Sequence, residues 1–451
     1  MNIIIVGCGK VGQTLARQLS LEGNNITVID SVAENVRAVT DKIDAMGVIG
    51  NGATHTVQRD AGIKKADLLI AVTGADELNI LASIVAKRES ECRTIARVRS
   101  HEYYTESPYL KEELGLAMVL NPELAAAEEI ARVLRFPSAI SIEPFAKGRV
   151  ELVKFRLPKG CPIAGMTVRE FVGNHRCDVL FCTVERGDEA HIVKGDFIFL
   201  ENDVISIIAE PKQALEFSKL IGYKTRAVKD AIIVGGGEVT HYLCRALRRT
   251  GISLRVIERD KARAERLASE HDKITVVNAD TADEEILAEE GIEEAGAFIA
   301  LTDNDEENLI LSLFAKQKSR GKLVTKINRI DYDDVIQRLS LDTVIYPKNI
   351  IADMIVRYAR SVEGSRGGNI ETLYSVIKGK IEAVEFIVRR GSEVAGVPLS
   401  MLKLRKGVLV AAIMRGRDLI IPRGHDIIEV GDAVIVVSEI TGIRDIADIL
   451  E

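Results

Sequence analysis

IIIVGCGKVG at residues 3–12 and IIVGGGEVT at residues 232–240 are two copies of one pattern, in which an apolar strand enters a helix through a glycine-rich turn. Glycines in such a turn allow a tight bend, let a pyrophosphate approach the backbone, and let the helix pack closely on the strand. Unpaired N–H groups and the positive end of the helix dipole favour an anion there. The pattern predicts an α/β chain with two tandem Rossmann-like domains, each with a doubly wound parallel sheet and a nucleotide site.

The first copy has the complete pattern. Gly7, Gly9 and Gly12 supply the three glycines, and the next apolar strand ends at Asp30. A carboxylate about 20 residues beyond the turn binds ribose hydroxyls and disfavours a 2'-phosphate, so NAD or NADH is favoured over NADP. The alternative is a tight turn in a Rossmann-like domain that holds no ligand.

The second copy departs from the pattern at one position. Gly235 and Gly237 are present and the next strand ends at Glu258, but Thr240 occupies the third glycine position. A threonine there is expected to push the helix and strand apart or to require repacking, which weakens a pyrophosphate site. The acid favours NAD or an adenine nucleotide. Arg259 either reaches the adenine or a 2'-phosphate, or belongs to the solvated surface.

The duplication continues beyond the turns at an offset of about 228 residues. Thr73 and Gly74 follow a buried strand at the carboxyl edge of the sheet, where open α/β folds bind ligands. They are therefore expected to be cofactor neighbours. Arg97, one strand further on, corresponds to Lys326 in the second copy. A cation there would neutralise a phosphate or form an ordinary salt bridge.

Length and duplication predict four domains in the 451-residue chain. Each Rossmann-like unit is followed by a proline-initiated helix, which packs within its own domain or crosses onto a partner domain. A small α+β module follows each helix, and the charged segment from Lys219 to Ala231 is the predicted linker between halves. The expected boundaries are 1–120 (first Rossmann-like domain), 121–142 (bridging helix), 143–225 (small domain), 230–347 (second Rossmann-like domain), 348–368 (bridging helix) and 369–451 (small domain).

Composition excludes several functions. The net charge of −7 and the absence of tryptophan leave no basic stripe or aromatic platform for nucleic acid. No apolar run approaches the roughly 20 residues of a membrane-spanning helix, and no signal peptide precedes the first strand, so a soluble intracellular protein is expected. The six cysteines show no C-x-x-C pair and no histidine at metal spacing, which predicts reduced thiols and no metal site. Cys8 either fits the turn as a small residue or acts as a redox handle.

Catalytic residues are not evident in the sequence. The histidines are scattered in the sequence, in no pattern that pairs them with a carboxylate or nucleophile, and are expected at the surface: His55, His101, His175, His191, His241, His271 and His425. Tyr374 and Lys378 have the Y-x-x-x-K spacing of short-chain dehydrogenases, but in a strand they would stand about 13 Å apart. Two nucleotide domains without a catalytic domain favour a sensor, whose ligand shifts the population of domain arrangements.

These motifs together resemble the TrkA family, whose members are built of two RCK (regulator of potassium conductance) repeats. The matching segments are GCGKVG with Asp30, AVTGADELN (71–79), RVRS (97–100), IIVGGGEV with Glu258, ALTDNDEEN (300–308), GVPL (396–399) and EVGD (429–432). The resemblance covers essentially the whole chain. It implies small domains of the RCK C-terminal type, and a cytoplasmic subunit, peripheral on the inner face of the cell membrane, that docks on an integral-membrane potassium transporter subunit. It also implies response to NAD or NADH and a homo-oligomeric ring formed through the Rossmann domains.

The resemblance also implies two sets of cofactor contacts. The first, for NAD or NADH, is Gly7, Cys8, Gly9, Lys10, Val11, Asp30, Thr73, Gly74 and Arg97; the second, for NAD or an adenine nucleotide, is Gly235, Gly236, Gly237, Glu238, Val239 and Glu258. Thr240 replaces the third glycine of the second site, and Asn51 stands where the second repeat has Asp280; either change leaves ATP or ADP at one site open. The alternatives are an NAD(P)-dependent oxidoreductase and the gating ring of a potassium channel or antiporter.

Overall fold

The computed structural model describes residues 1–451 except 176, 188, 224–227, 281–282, 329–335, 337, 340, 365–369, 378–379, 441–442 and 444. The chain divides into two compact units. One contains Met1–Arg135 and Val228–Val356, and the other contains Phe136–Ala227 and Arg357–Glu451. Within the described ranges, no helix has both the length and the apolar character that crossing a membrane requires.

The first Rossmann-like domain is a parallel sheet with helices between its strands. The strands are β1 (Asn2–Val6), β2 (Asn25–Asp30), β3 (Ala45–Ile49), β4 (Leu68–Ala71), β5 (Arg93–Arg97) and β6 (Met118–Leu120). The helices are α1 (Lys10–Leu21), α2 (Ala33–Thr40), α3 (His55–Asp60), α4 (Asp76–Glu89), α5 (His101–Thr105) and α6 (Ser107–Glu112), with a 3-10 turn at Ile63–Lys65. The sheet order β3-β2-β1-β4-β5-β6 is the doubly wound order, which brings the ends of β1 and β4 together at the switch point.

Helix α7 (Pro122–Arg135) leads into the first small domain. Its antiparallel strands are β7 (Ser141–Phe145), β8 (Val150–Arg156), β9 (Leu180–Arg186), β10 (Glu189–Ile192) and β11 (Val204–Ala209). Its helices are α8 (Val168–Asn174) and α9 (Pro211–Leu220), with a 3-10 turn at Ala146–Gly148. The strands lie in the order β10-β9-β11-β8-β7.

The second Rossmann-like domain repeats the first. Its strands are β12 (Asp230–Val234), β13 (Ser253–Glu258), β14 (Ile274–Asn278), β15 (Ala297–Ala300), β16 (Lys322–Lys326) and β17 (Thr343–Ile345). Its helices are α10 (Glu238–Leu247), α11 (Lys261–Glu270), α12 (Glu284–Glu289) and α13 (Asp305–Lys318). The parallel order β14-β13-β12-β15-β16-β17 places the two glycine turns at equivalent positions.

Helix α14 (Pro347–Gly364) precedes the second small domain. The antiparallel strands of that domain are β18 (Ile370–Ile377), β19 (Ile381–Ile387), β20 (Val408–Arg415), β21 (Asp418–Ile420) and β22 (Ala433–Ser438). In its described part, short 3-10 turns at Leu399–Met401 and Ile446–Ile449 stand where the first small domain has α8 and α9. The strand order β18-β19-β22-β20-β21 matches that of the first copy, so the predicted fold class is confirmed.

A buried ion pair recurs in the two small domains. Asp203 accepts hydrogen bonds of 2.8 and 2.7 Å from the Arg186 guanidinium, and Asp432 accepts bonds of 3.0 and 2.8 Å from Arg415. Both carboxylates are buried. Their bidentate pairing with arginine holds the turn before β11 in the first small domain and before β22 in the second. The matching aspartates in the sequence therefore mark a structural element of the fold.

The two small domains share a buried apolar cluster within their unit. Phe145 and Leu152 of the first domain pack with Tyr374 of the second. The Tyr374 hydroxyl donates a hydrogen bond of 3.0 Å to the carbonyl oxygen of Pro144. Tyr374 lies in β18, as the strand prediction required, whereas Lys378 lies outside the described residues. The tyrosine thus has a packing role.

Helix α7 crosses onto the second Rossmann-like domain. Its buried residues form one cluster with residues of α10, and the members from the two helices are Ala126, Ala127, Ile130 and Leu134 with Tyr242, Leu243 and Leu247. Burial of each large aliphatic side chain stabilises the contact by about 1.5–3 kcal/mol. The interpretation as a crossover onto a partner domain is therefore confirmed for α7.

The elements differ from the expected segments at three places. α7 ends at Arg135, and β7 begins within the expected bridging segment 121–142. α14 begins at Pro347, and the last residues of the expected segment 348–368 lie outside the described residues. The predicted linker is too long, because Lys219 belongs to α9 and Asp230 begins β12, while 224–227 lie outside the described residues.

Candidate nucleotide-binding sites

The first turn requires glycine at two positions for steric reasons. Gly7 has φ +102°, and a Cβ there would lie 2.9 Å from the backbone nitrogen of Thr73. A Cβ on Gly12 would lie 1.9 Å from the carbonyl oxygen of Gly7. A Cβ on Gly9 would meet no atom within 4 Å, so the backbone at the start of α1 faces open space. As the N-cap, Gly9 offers no side chain to the first N–H groups of α1, which are therefore free to bind an anion.

Asp30 anchors this turn. Its carboxylate accepts hydrogen bonds from the backbone amide of Cys8 at 2.7 Å and from that of Val32 at 2.9 Å. The Asn35 side chain donates a third bond of 3.3 Å. A carboxylate oxygen accepts more than one hydrogen bond, so the same group retains capacity for ribose hydroxyls.

A cavity of about 560 Å³ lies over the first turn, within the size range of small-molecule sites. The predicted contacts that line it are Gly7, Gly9, Asp30, Thr73 and Gly74. The predicted contacts Cys8, Lys10, Val11 and Arg97 are not among its lining residues, and the side chains of Cys8 and Val11 are buried. The lining also includes Asn35, Asn51 and Leu78, which sequence analysis did not predict as contacts.

Arg97 positions the loop beside this cavity. Its guanidinium donates a hydrogen bond of 2.6 Å to the carbonyl oxygen of Thr73. Asn79 completes the arrangement: its side-chain oxygen accepts from the Thr73 amide at 2.7 Å and its nitrogen donates to the Arg97 carbonyl at 2.9 Å. Burial lowers the pKa of the Arg97 guanidinium. The cation thus holds the loop at the carboxyl edge of the sheet through the Thr73 carbonyl, rather than through a carboxylate.

The second turn accommodates Thr240 through a hydrogen bond. Gly235 has φ +100°, and a Cβ there would lie 2.8 Å from the carbonyl carbon of Leu301. Thr240 is fully buried, and its hydroxyl donates a bond of 2.5 Å to the carbonyl oxygen of Gly235. The local adjustment that threonine was expected to require takes the form of this hydrogen bond, at the place where a Cβ on Gly12 of the first copy would clash with the Gly7 carbonyl.

Glu258 anchors the second turn as Asp30 anchors the first. One oxygen accepts from the amide of Gly236 at 2.5 Å and the other from the amide of Asp260 at 2.7 Å. The Glu258 residue is only 4% exposed. The longer side chain is folded under the turn, so it presents less carboxylate surface to a ligand than Asp30 does.

Beside this turn lies a cavity of about 430 Å³ that both Rossmann-like domains line. The predicted contacts Gly236, Gly237, Glu238 and Val239 face it, whereas Gly235 and Glu258 line a smaller neighbouring cavity together with Gly236, Gly237 and Arg259. Four cationic side chains complete the larger cavity: Arg99, Arg263, Arg266 and Lys326. Sequence analysis identified only Lys326 among these, as the counterpart of Arg97.

Carboxylates pair with the cations of the second cavity. Arg99 contacts Glu123 at 2.9 Å, and Arg263 contacts Asp303 at 3.0 Å. Lys326 lies 3.9 Å from Asp303. Burial lowers the pKa of Lys326, although Asp303 and neighbouring acids oppose the effect. If a phosphate chain bound here, these cations would exchange their carboxylate partners for phosphate oxygens.

The side chain of Cys8 is buried in the turn, whereas His241 differs from expectation. Burial raises the pKa of the Cys8 thiol to about 12, which keeps it protonated and poorly nucleophilic at neutral pH. His241 lies 2.9 Å from Glu270, and His55 lies 3.0 Å from Glu89. The expectation that the histidines lie without carboxylate partners is wrong for His241, which contacts Glu270 and converges with Glu270 and His271 in the folded chain. His241 is far from Glu270 and His271 in the sequence, so sequence spacing alone did not predict that the three side chains meet.

Comparisons with known proteins agree with this architecture. The TrkA-N domain family matches residues 3–122 and 231–347, and the TrkA-C domain family matches 152–222 and 383–451. The Trk system potassium uptake protein TrkA homolog 1 of Methanosarcina mazei is 31% identical over 97% of both chains. The Trk system potassium uptake protein TrkA of Haemophilus influenzae is 30% identical over 97% of this chain and 95% of its own.

Solved structures share the same fold. The GsuK channel bound to NAD has a TM-score of 0.63 at 17% identity, covering 98% of this chain and 77% of that chain. The GsuK RCK domain has a TM-score of 0.62 at 17% identity, covering 98% of this chain and 93% of that chain. With two TrkA-N and two TrkA-C domains in alternation and full-length similarity to curated relatives, the chain belongs to the TrkA family.

Proposed function

We propose that this chain is the nucleotide-sensing regulatory subunit of a potassium uptake transporter. The observation that carries the proposal is the pair of glycine turns, each with an anchoring carboxylate and a helix N-terminus capped only by glycine, within one compact unit. The names of the relatives, Trk system potassium uptake proteins, support the transport role. The NAD bound to the similarly folded GsuK channel supports the ligand class.

The charge of each cavity supports a different nucleotide. Asp30 is the charged side chain that lines the first cavity, so a pyrophosphate there would rely on backbone N–H groups and the dipole of α1. This suits NAD or NADH, whose ribose hydroxyls meet the carboxylate. The second cavity brings four cationic side chains to the turn, which suits the more highly charged terminal phosphate of an adenine nucleotide such as ADP or ATP.

The second cavity offers a physical route from binding to regulation. Arg99 belongs to the first Rossmann-like domain and Glu123 to α7, the helix that follows it, whereas Arg263 and Lys326 belong to the second Rossmann-like domain. A ligand that contacts both domains more favourably in one arrangement shifts the population toward that arrangement. The partner that receives this change is an integral-membrane potassium transporter subunit, with the chain in a homo-oligomeric ring on the cytoplasmic face of the membrane.

A regulatory role fits the first cavity better than catalysis does. A hydride-transfer enzyme needs a proton donor or acceptor within hydrogen-bond reach of its second substrate. Among the described lining residues the titratable side chain is Asp30, and both its oxygens already accept backbone N–H groups. The oxidoreductase alternative therefore lacks a candidate residue at this position.

The ligand assignment is tested by calorimetric titration of the full chain with NADH, NAD, ATP and ADP. In Asp30→Ala we expect NADH binding to be lost while ATP binding at the second site persists, which also shows that the variant is folded. Asp41→Ala, an exposed carboxylate at the end of α2, is the matched control and should bind like the unmodified chain. Unchanged NADH affinity in Asp30→Ala would refute the first-site assignment.

The regulatory assignment is tested by potassium flux through the membrane subunit in proteoliposomes, with and without this chain. We expect the chain to change the flux, and NADH, NAD, ATP and ADP to alter that change. A flux that is indifferent to the chain under every nucleotide condition would refute the transporter role. Turnover of NADH with an aldehyde, amine or 2-hydroxy acid would instead support the oxidoreductase alternative.

A further inference from the structure

We propose that His241, Glu270 and His271 form a binding site for a divalent transition-metal ion such as Zn²⁺, beside the second nucleotide cavity. The site lies where two helices of the second Rossmann-like domain meet. His241 is in the first turn of α10, Glu270 is the last residue of α11, and His271 follows it as the C-cap. The proposed metal site does not depend on the proposed nucleotide binding.

The three side chains are already spaced as ligands of one ion. His241 Nδ1 lies 2.9 Å from Glu270 Oε2 and 3.2 Å from His271 Nε2. The ligand atoms of all three residues lie within 4.8 Å of one another. A tetrahedral zinc ion with bonds of about 2.0–2.1 Å separates its ligand atoms by about 3.3 Å. The observed spacing therefore requires only small side-chain adjustments.

One nitrogen of His241 faces two polar partners in this cluster. His241 Nδ1 faces both the Glu270 carboxylate and His271 Nε2. A single nitrogen either donates its proton to the carboxylate or accepts a proton from the second imidazole, and it cannot do both. A metal ion accepts the lone pairs of both nitrogens and of the carboxylate oxygen at once.

The donor set selects the class of ion. Two imidazole nitrogens with one carboxylate suit Zn²⁺, Co²⁺ or Ni²⁺, whereas Mg²⁺ and Ca²⁺ prefer oxygen ligands. The His241 side chain is 12% exposed and that of Glu270 is 37% exposed, so solvent reaches the cluster from the Glu270 side. Three protein ligands leave a fourth position for water.

Neighbouring side chains support and bound the cluster. Arg266 Nε contacts Glu270 Oε1 at 3.0 Å, which orients the carboxylate and leaves Oε2 for the ion. The His101 ring, from the first Rossmann-like domain, stands edge-on to His241 at 5.5 Å between ring centres. Its Nδ1 is buried and has no hydrogen-bond partner among the described residues. Arg245 and Arg248 add positive charge near His271, so binding relies on the ligand bonds rather than on the local potential.

The test uses full-length protein without a histidine tag, stripped of metal and titrated with Co²⁺. We expect visible d–d absorption bands that saturate at one equivalent, are abolished by Zn²⁺ and persist in excess Mg²⁺. His271→Ala and His241→Gln should lose these bands. His55→Gln is the matched control, because His55 contacts Glu89 at 3.0 Å in a histidine–carboxylate pair that is not part of this cluster, and it should keep them.

Thermal unfolding supplies a second readout that does not depend on cobalt spectroscopy. Zn²⁺ should raise the melting temperature of the unmodified chain and of His55→Gln, because an ion that binds only the folded state stabilises it. His271→Ala, at a partly exposed position, should fold normally but show no Zn²⁺-dependent rise. The proposal is overturned if one equivalent of Co²⁺ gives no bands, if both variants of the cluster keep them, or if a thiolate charge-transfer band appears and assigns the ion to cysteine.

Discussion

The side-chain amide of Asn121 donates a hydrogen bond of 3.1 Å to the Tyr242 hydroxyl, at a buried position that joins the two repeats. Asn121 immediately precedes α7, and Tyr242 lies on α10, the helix that begins at the second glycine turn. The same amide donates a second bond of 3.0 Å to the carbonyl oxygen of Arg99, which lines the second cavity. A ligand that displaces α10 therefore acts on the contact between the repeats.

Removal of the Tyr242 hydroxyl tests this contact. Tyr242→Phe keeps the aromatic packing but loses one buried hydrogen bond, so we expect the free energy of unfolding to fall by about 1 kcal/mol. Urea denaturation at matched ligand conditions measures the change. Tyr223→Phe is a control in the other compact unit, where the Tyr223 hydroxyl donates to the carbonyl oxygen of Arg156 at 2.6 Å. Tyr223→Phe should leave ATP affinity unaltered. If Tyr242→Phe did not change the free energy of unfolding, the role of the Asn121–Tyr242 bond would be contradicted.

The hydroxyl of Thr240 is expected to matter more than its methyl group. Thr240→Val preserves shape but leaves the Gly235 carbonyl without this donor, at a cost of about 1–3 kcal/mol. Thr240→Ser keeps the donor and loses one methyl group, a cost of about 0.8 kcal/mol. Chemical denaturation of the two variants shows which of them is more stable. A valine variant more stable than the serine variant would show that volume, and not the hydrogen bond, adapts the turn.

Arg99 and Glu123 are expected to affect adenine-nucleotide affinity in opposite directions. Because both line the second cavity, Arg99→Gln removes a cation from the phosphate region, and Glu123→Gln removes an anion that competes with phosphate. A lost charge-assisted hydrogen bond of about 1.5–3 kcal/mol corresponds to roughly ten- to hundredfold weaker ATP binding in Arg99→Gln. Glu123→Gln should bind ATP more tightly than the unmodified chain.

Titration calorimetry separates this effect from a general charge effect. Arg88→Gln changes the same net charge at an exposed position on α4, outside both cavities, and should leave ATP affinity unchanged. NADH affinity at the first site should be equal in all three variants. If Arg99→Gln and Arg88→Gln weakened ATP equally, Arg99 would not contact the phosphates.

Cys8 should resist alkylation in the folded protein. Burial raises the pKa of its thiol from 9.0 to about 12, so at pH 8 the thiolate fraction is about a thousandfold smaller than in the unfolded chain. Because this pKa of about 12 lies well above pH 8, labelling by iodoacetamide should rise about tenfold per pH unit from 8 upward. Mass spectrometry of native and urea-unfolded samples measures it, with the half-buried Cys177 labelled earlier as an internal reference. Rapid native labelling of Cys8 at pH 8 would revive the redox-handle interpretation.

Local steric rules made the turns and the sheets predictable from sequence. Gly7 and Gly235 have positive φ, and a Cβ added to either would lie within 3 Å of backbone atoms. Only glycine meets both constraints, so the glycine pattern in the sequence predicts them directly. Asp30 and Glu258 end their strands at fixed distances from those turns, so their places at the strand ends followed from chain spacing, whereas their hydrogen bonds to the turn amides did not. The duplication then fixed the order of the four domains.

Contacts between distant segments could not be predicted from local spacing, because they depend on how the helices pack. Arg99 reaches the second cavity because α7 packs on α10, and His241 meets His271 because two helices of one domain converge there. Thr240 was expected to require local repacking, and in the folded turn its hydroxyl forms a hydrogen bond with the Gly235 carbonyl. The sequence by itself determined the repeated Rossmann-like fold and its glycine turns, since these depend on backbone conformation and short spacing. Only the tertiary structure decided which charges and imidazoles share a site, since this depends on how separately formed helices pack.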